Sequence, residues 1–358
     1  MKQSEIVIVG GGPAGLAAAT QAARAGAEVI LIDRNDYLGG QLIKQTHRFF
    51  GSKEQRASER GINIARDLSD QVKGTANIQV MTEATALGYY EDGVLLVEQH
   101  HKIIAIKPKK LIIATGGAEK TLLFPNNDLP GVYGAGAVQT LVNVFGVKPG
   151  HRVLMVGAGN IGVIVSYQLL QAGIEVAAII EGAPKIGAYW VHAAKVVRAG
   201  IPILTSHTIL KAYGEREVCG AKVAQIDENW QPMAGTEKDI DADVICLSVG
   251  LTPMTELLWQ AGCRMVYVPA LGGNVPLRNE QLETSVPGIY VAGDVSGIEE
   301  ASAAMMEGAL AGLNAAESLG YGNEALQLDK INFLKQLAGL RSGSVGEKIR
   351  SGLARVSL

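Results

Sequence analysis

Two stretches of this chain space their glycines so that a backbone can wrap a pyrophosphate. They are Gly10-x-Gly12-x-x-Gly15 in IVGGGPAGLAAATQ and Gly157-x-Gly159-x-x-Gly162 in MVGAGNIGVIVSYQ. In such a turn the first glycine reverses the chain, the second lets the main chain approach the phosphates, and the third lets helix and strand pack closely. The helix N-terminus then presents N–H groups and the positive end of its dipole to the anion. An acid follows each turn at the end of the next strand, Asp33 after the first and Glu181 after the second. A carboxylate there accepts hydrogen bonds from a ribose diol and disfavours a 2′-phosphate, so the second turn suits NAD(H) better than NADP(H). Lys185 alone, in EGAPK, does not make a phosphate pocket. Another adenine nucleotide, or no ligand at all, remains open for the second turn.

The elements that position these turns repeat. Apolar runs and glycine stops predict a strand over 5–9, a helix over 13–25 capped by Gly26 and a strand over 28–32. The same order returns as a strand over 152–156, a helix over 161–172, Gly173 and a strand over 175–180. Near-continuous apolar strands of this kind suit a parallel sheet covered on both faces. Residues 77–117 and 201–249 each read as a strand meander ending in an apolar strand that runs into glycine. One more buried strand is expected within 284–295, then a helix over 301–315 with small residues on one side. The tail, 321–358, reads as helical, with apolar positions at Leu334, Leu337 and Leu340 and six Lys/Arg against three Asp/Glu.

Composition narrows the function classes. At 358 residues the chain can hold two or three layered domains, and a net charge of −3 supplies no basic excess for nucleic acid. The N-terminus enters a strand after four residues, so no signal peptide is expected. The most apolar window, 161–180, carries Gln168, Gln171, Gly173 and Glu175 and reads as helix, turn and strand, not a membrane span. A cytoplasmic location is expected. Cys219, Cys246 and Cys263 match neither a CxxC pair nor a metal-ligand spacing, and buried thiols are expected.

With the first turn and Asp33 in place, four further stretches make the chain resemble the flavoproteins with two dinucleotide-binding domains, the glutathione and thioredoxin reductase superfamily. They are GGQL at 39–42, LIIATGG at 111–117, VICLSVGLTPM at 244–254 and GIYVAGDV at 288–295. The resemblance implies an α/β fold with two Rossmann-like domains and a short helical tail. An FAD domain, 1–117 and 251–320, would be interrupted by an NAD-type domain, 118–250, and followed by the tail, 321–358. It assigns FAD to the first turn, Gly10, Gly12, Pro13, Ala14 and Gly15, with Asp33 and Arg34 beyond it. Gly40 and Gln41 would pass beside the flavin, with Ala84, Thr115 and Gly116 completing the cradle. Gly293 and Asp294 would hold the ribityl chain, and Ala301 would offer its N–H to the flavin pyrimidine edge. The second nucleotide would meet Gly157, Gly159, Asn160, Ile161, Gly162, Glu181 and Gly250. Ile164 stands where many of these reductases carry a glutamate that seats the nicotinamide.

A disulfide reductase of this superfamily needs two cysteines beside the flavin, and QLIKQTHRFFG at 41–51 has none. Direct reaction of a substrate with the flavin would instead draw on Lys44 for charge and His47 for a proton. Lys44, His47 and Arg48 also recur at helical spacing, as solvated helix positions would. The runs 39–54 and 187–209 are similar to the small flavin subunits of multi-subunit opine and amine dehydrogenases: the octopine and nopaline oxidase A subunits, hydrogen cyanide synthase B, proline dehydrogenase alpha and the matching part of sarcosine oxidase alpha. That likeness implies an electron-transfer subunit beside a second flavoprotein dehydrogenase. Residues 321–358 hold no cysteine, so any iron–sulfur relay would come from a partner. A self-sufficient NAD(P)H oxidase or quinone reductase, and a structural or regulatory nucleotide-binding subunit, are the other readings. Tyr189 and Trp190 suit core packing, or else a partner surface.

Overall fold

A computed structural model describes residues 1–49, 52–343 and 346–358. Phe50 and Gly51, inside the 39–54 run, and Ser344 and Val345, inside the tail, lie outside the described residues. The chain divides into two compact units, Met1–Ala118 with Leu251–Leu358, and Glu119–Gly250. The tail belongs to the first unit.

In the first unit, β1 (Lys2–Val9), α1 (Pro13–Ala25) and β2 (Val29–Ile32) form the initial βαβ, with Gly26 closing α1 in the left-handed region. Then come α2 (Gly61–Lys73), β3 (Ile78–Met81), β4 (Ala84–Tyr89), β5 (Leu95–Gln99) and β6 (Lys102–Ile113). The sheet runs β3-β2-β1-β6-β5-β4, and the short strand Ile289–Val291 pairs parallel with the end of β6. β1, β2, β3 and the end of β6 are mutually parallel, whereas β4 and β5 return as an antiparallel meander. Alternation along the parallel strands supplies two cores. Ile6, Ile8, Leu31 and Ile112 face α1 and the helix Ala301–Glu317, while Val7, Val9, Ile30 and Ile113 fill the opposite face.

The second unit repeats the plan. Its parallel sheet is ordered Ile203–Thr205, Glu175–Glu181, Arg152–Val156, Val244–Leu247, Val132–Gly134. The helix Asn160–Gln171 starts one residue earlier than the periodicity suggests and ends on Ala172 as its cap. An antiparallel trio, His207–Tyr213, Gly220–Gln225 and Lys238–Asp241, packs a separate core around Ile209, Ala221 and Val223.

Three expectations need correction. Lys44, His47 and Arg48 do not share a helix: a 3-10 turn ends at Lys44, and Arg48 pairs in extended geometry with Arg60. Cys219 is exposed, while Cys246 and Cys263 are buried and all three are free. Trp190 is 78 % exposed and belongs to no core, because it opens its helix, Trp190–Arg198, on the outward side.

The small residues of α1 and of the helix Ala301–Glu317 let the two backbones touch. A Cβ added at Gly312 would stand 2.2 Å from the Ala18 carbonyl oxygen, and one at Gly308 would stand 2.0 Å from that of Ala14. Overpacking at such a contact costs about 1–3 kcal/mol. Gly312→Ala is therefore expected to lower stability by about 2 kcal/mol in denaturant unfolding, and an unchanged midpoint would refute the contact.

Candidate functional site

The two glycine turns prove to be copies at atomic detail. Gly10 and Gly157 both sit at φ +110°, and at each a Cβ would stand 2.2 Å from a carbonyl oxygen, Ala114 in one unit and Ser248 in the other. The third glycine closes the turn: a Cβ on Gly15 would lie 1.7 Å from the Gly10 oxygen, and one on Gly162 would lie 2.1 Å from the Gly157 oxygen. Each acid locks its own turn. Asp33 Oδ2 accepts the Gly11 N–H at 2.7 Å and its Oδ1 accepts the Asn35 N–H at 2.8 Å. Glu181 Oε2 accepts the Ala158 N–H at 2.7 Å and its Oε1 accepts the Ala183 N–H at 2.9 Å. Gly11 and Ala158, which the glycine spacing passes over, are thus the residues that the acids hold. A crossing segment also repeats: the Gly39 N–H donates to the Gly11 carbonyl at 2.8 Å, and the Ala188 N–H donates to that of Ala158 at 3.0 Å.

Among the described residues no side chain caps the helix at Gly12 or at Gly159, so the first-turn amides remain available to an anion. The helix Ala135–Asn143 shows the contrast, because Glu119 takes the N–H groups of Gly136 and Ala137 there. A Cβ at Gly12 would meet only the Gly40 Cα at 3.8 Å, and one at Gly159 would meet nothing within 4 Å. The first turn, α1 and Asp33 therefore fit the pyrophosphate and ribose of a dinucleotide. Pro13 starts α1 and Ala14 is buried in its first turn. Ala84 is buried, its N–H bonded to the Asp33 carbonyl at 2.9 Å, while Arg34 and Gln41 are exposed. Thr115 donates its hydroxyl to the Met254 carbonyl at 2.7 Å, and Gly116 has open space where a Cβ would be. Lys44 and His47 are both partly buried, and the His47 ring stacks on Phe49 at 5.9 Å. In the second unit Asn160 accepts the Tyr189 N–H on its side-chain oxygen at 2.8 Å, Ile161 is 41 % exposed, and the Gly250 carbonyl accepts the Lys120 N–H at 2.9 Å.

Gly293 and Asp294 begin a short turn that leads to the uncapped start of the helix at Ala301. Burial pushes the Asp294 carboxyl up to about 7; a 3.4 Å bond from the Glu299 N–H opposes the shift, and the Glu307 and Glu299 charges add to it. Beneath this turn lies a buried network that motif spacing does not show. Glu307 takes Arg278 at 2.8 Å and Arg341 at 2.6 Å on one oxygen. Its other oxygen accepts the Gly293 N–H at 3.0 Å and the Ser296 hydroxyl at 2.9 Å. Arg341 also grips Glu299 through two nitrogens. Burial opposes the Glu307 charge, yet the two guanidiniums hold its carboxyl down at about 2.

A family profile, pyridine nucleotide-disulphide oxidoreductase, matches residues 4–308. The chain belongs to that family. It is accordingly an FAD-dependent oxidoreductase with a pyridine nucleotide-binding domain. The alpha subunit of sarcosine oxidase from Rhizobium meliloti (strain 1021) is 28 % identical over 85 % of this chain and 30 % of its own length. Hydrogen cyanide synthase subunit HcnB of Pseudomonas aeruginosa is 27 % identical over 86 % of this chain and 70 % of its own. Opine oxidase A of Rhizobium meliloti (strain 1021) is 28 % identical over 88 % and 71 %. The chain spans about a third of the sarcosine oxidase subunits that it matches. The fold is shared with L-proline dehydrogenase of P. horikoshii (TM-score 0.73, 24 % identity, 94 % of this chain and 59 % of that one). Thioredoxin reductase of T. acidophilum shares it too (TM-score 0.74, 24 % identity, 89 % and 99 %). No helix among the described residues is long and apolar enough to cross a membrane, and no group of three or more His, Cys, Asp or Glu among them is placed to hold a metal.

The two buried acids respond oppositely to pH. A carboxyl raised to about 7 weakens the fold as it ionises, so its contribution is complete below the unfolded value near 4 and is lost as pH rises through 7. Asp294→Asn should raise the melting temperature of the flavin-free chain by about 3 °C at pH 8 and leave it unchanged below pH 4, while lowering retained FAD. A pH-independent difference would contradict the assignment. Removing Arg341 leaves Glu307 with Arg278 alone and takes from Glu299 its guanidinium partner, so Arg341→Ala should cost about 3–5 kcal/mol in chemical unfolding at pH 7. A loss below about 1 kcal/mol would show the network to be solvated.

Proposed function

We propose that the chain is the flavin-bearing electron-transfer subunit of a multi-subunit dehydrogenase of amines or amino acids, of opine, sarcosine or proline type. The observation that carries this reading is a flavin-type unit with no thiol acceptor. Residues 39–49, which cross the first turn at Gly40, contain no cysteine; Cys263 of the same unit and Cys246 of the other are buried, and the exposed Cys219 belongs to the second unit. Burial pushes both buried thiols upward, away from the thiolate that disulfide exchange requires. The relatives named as subunits of sarcosine oxidase, opine oxidase and hydrogen cyanide synthase support the same reading.

In this reading FAD supplies reversible two-electron chemistry, and the chain's own residues bind and orient it. Gly10, Gly12 and Gly15 shape the cradle, with the amides beyond Pro13 opening α1. Asp33 and Asp294 hold the hydroxyls of the two sugar-derived segments, and the Ala301 N–H meets the pyrimidine edge. Arg34, Gly40, Gln41, Ala84, Thr115, Gly116 and Gly293 complete the contacts. Lys44 and His47 supply charge and a proton beside the ring. The second unit takes NAD(H), or another adenine nucleotide, at Gly157, Gly159, Asn160, Ile161 and Gly162, with Glu181 on the ribose and Gly250 at the rim. A second flavoprotein dehydrogenase subunit would deliver the electrons, which the flavin would pass on to NAD+ or another acceptor, any iron–sulfur centre being carried by a partner. The place of work is the cytoplasm.

The separating experiment is anaerobic reduction of the FAD-loaded chain. As one subunit of a complex it should hold FAD but turn over no amine by itself, and should gain amine-dependent flavin reduction when a second flavoprotein subunit is supplied. Rapid turnover of NADH with a soluble quinone by the isolated chain would replace this reading with a self-sufficient reductase. Reduction of a disulfide substrate would also overturn it.

A further inference from the structure

We propose that Trp230 is the adenine-stacking wall of the second nucleotide site. The proposal rests on the reading that this site takes an adenine nucleotide. Trp230 lies in the loop between the strands Gly220–Gln225 and Lys238–Asp241, where Asp227 organises a tight turn. The Asp227 carboxylate accepts the N–H groups of Asn229 at 2.9 Å and Gln231 at 2.8 Å, and its carbonyl accepts that of Trp230 at 3.1 Å. This geometry holds Trp230 at φ +62°, a left-handed conformation that a bulky side chain adopts only at a cost. The cost is not offset by burial, because Trp230 stays 63 % exposed.

Its contact is with the nucleotide turn. The indole lies against Gly182, where an added Cβ would stand 2.5 Å from the ring carbon Cζ3 and 3.3 Å from Cη2. Gly182 directly follows Glu181, the acid placed for the adenosine ribose. On a ribose held there through its 2′- and 3′-hydroxyls the base would be carried at C1′, the carbon next to C2′, on the side where Gly182 and the indole follow Glu181. The loop is braced there as well. Ser206, at φ +53°, donates its N–H to the Ala183 carbonyl at 3.1 Å and accepts the Ile226 N–H at 2.8 Å. Strand exit and hairpin base are thus tied through one residue. An exposed aromatic ring held rigidly beside a ribose-binding acid matches the flat face of a purine.

The test uses the FAD-loaded full chain and calorimetric titration with ADP and with nicotinamide mononucleotide, which has no adenine. Trp230→Ala should weaken ADP about tenfold, Trp230→Phe should stay within about threefold of the parent, and neither should change retained FAD. Nicotinamide mononucleotide should bind parent and Trp230→Ala alike. If the parent binds ADP, loses it in Glu181→Ala, and Trp230→Ala matches or exceeds the parent, the wall assignment is wrong and the nucleotide reading stands. If ADP does not bind the parent, the nucleotide reading fails and this inference falls with it.

Discussion

The contact on which both units depend is that of a helix start seated on the carbonyl of its own turn. Gly15 stands on the Gly10 oxygen and Gly162 on the Gly157 oxygen at distances no Cβ could share. Only that approach brings the first turn of the helix over the strand ends, where its amides can face an anion instead of a loop. The acids then complete the turn from the neighbouring strand, Asp33 through Gly11 and Glu181 through Ala158. A carboxylate can accept more than the bonds it makes here, so the same group that holds the turn can also receive a ribose hydroxyl.

The first unit adds a second constraint, which the other copy does not repeat. Glu307 is fully buried and charged because two guanidiniums and two further donors surround it. One guanidinium, Arg341, comes from the end of the tail helix Glu324–Leu340. The tail is therefore tied through charge to the turn that carries Asp294. Isolated buried ions are costly, and a half-made network is costlier than none, so the tail and the turn must form together. The helix Ala301–Glu317 carries Glu307 on one part of its surface and the small residues that contact α1 on another. It thereby joins the network to the first glycine turn.

Chemistry follows from what surrounds these turns more than from the turns themselves. The segments crossing them diverge after the shared amide-to-carbonyl bond: one continues as the short turn Gly40–Lys44, the other as the helix Trp190–Arg198. Equivalent cradles thus carry different walls. The first crossing segment carries no cysteine from Gly39 to Phe49.

Much of this was legible in the residues. The two βαβ units, the acids that end them and the left-handed caps follow from apolar runs and glycine spacing, because strand and helix periods and glycine's backbone freedom are local properties. The helix over 13–25 and the strand over 152–156 lie where the residues place them. Spacing misled where local pattern and tertiary packing compete. Lys44, His47 and Arg48 have a helical interval, yet the chain leaves its 3-10 turn at Lys44 and pairs Arg48 with Arg60. Of the two readings for Trp190, core packing and a partner surface, the first fails because Trp190 opens its helix toward solvent. What only the tertiary structure decided are the groupings of residues far apart in the chain: Arg278, Glu299, Glu307 and Arg341 around one turn, and Trp230 against Gly182. No periodicity encodes such meetings, since charge pairing and ring contact depend on which surfaces the completed fold brings together.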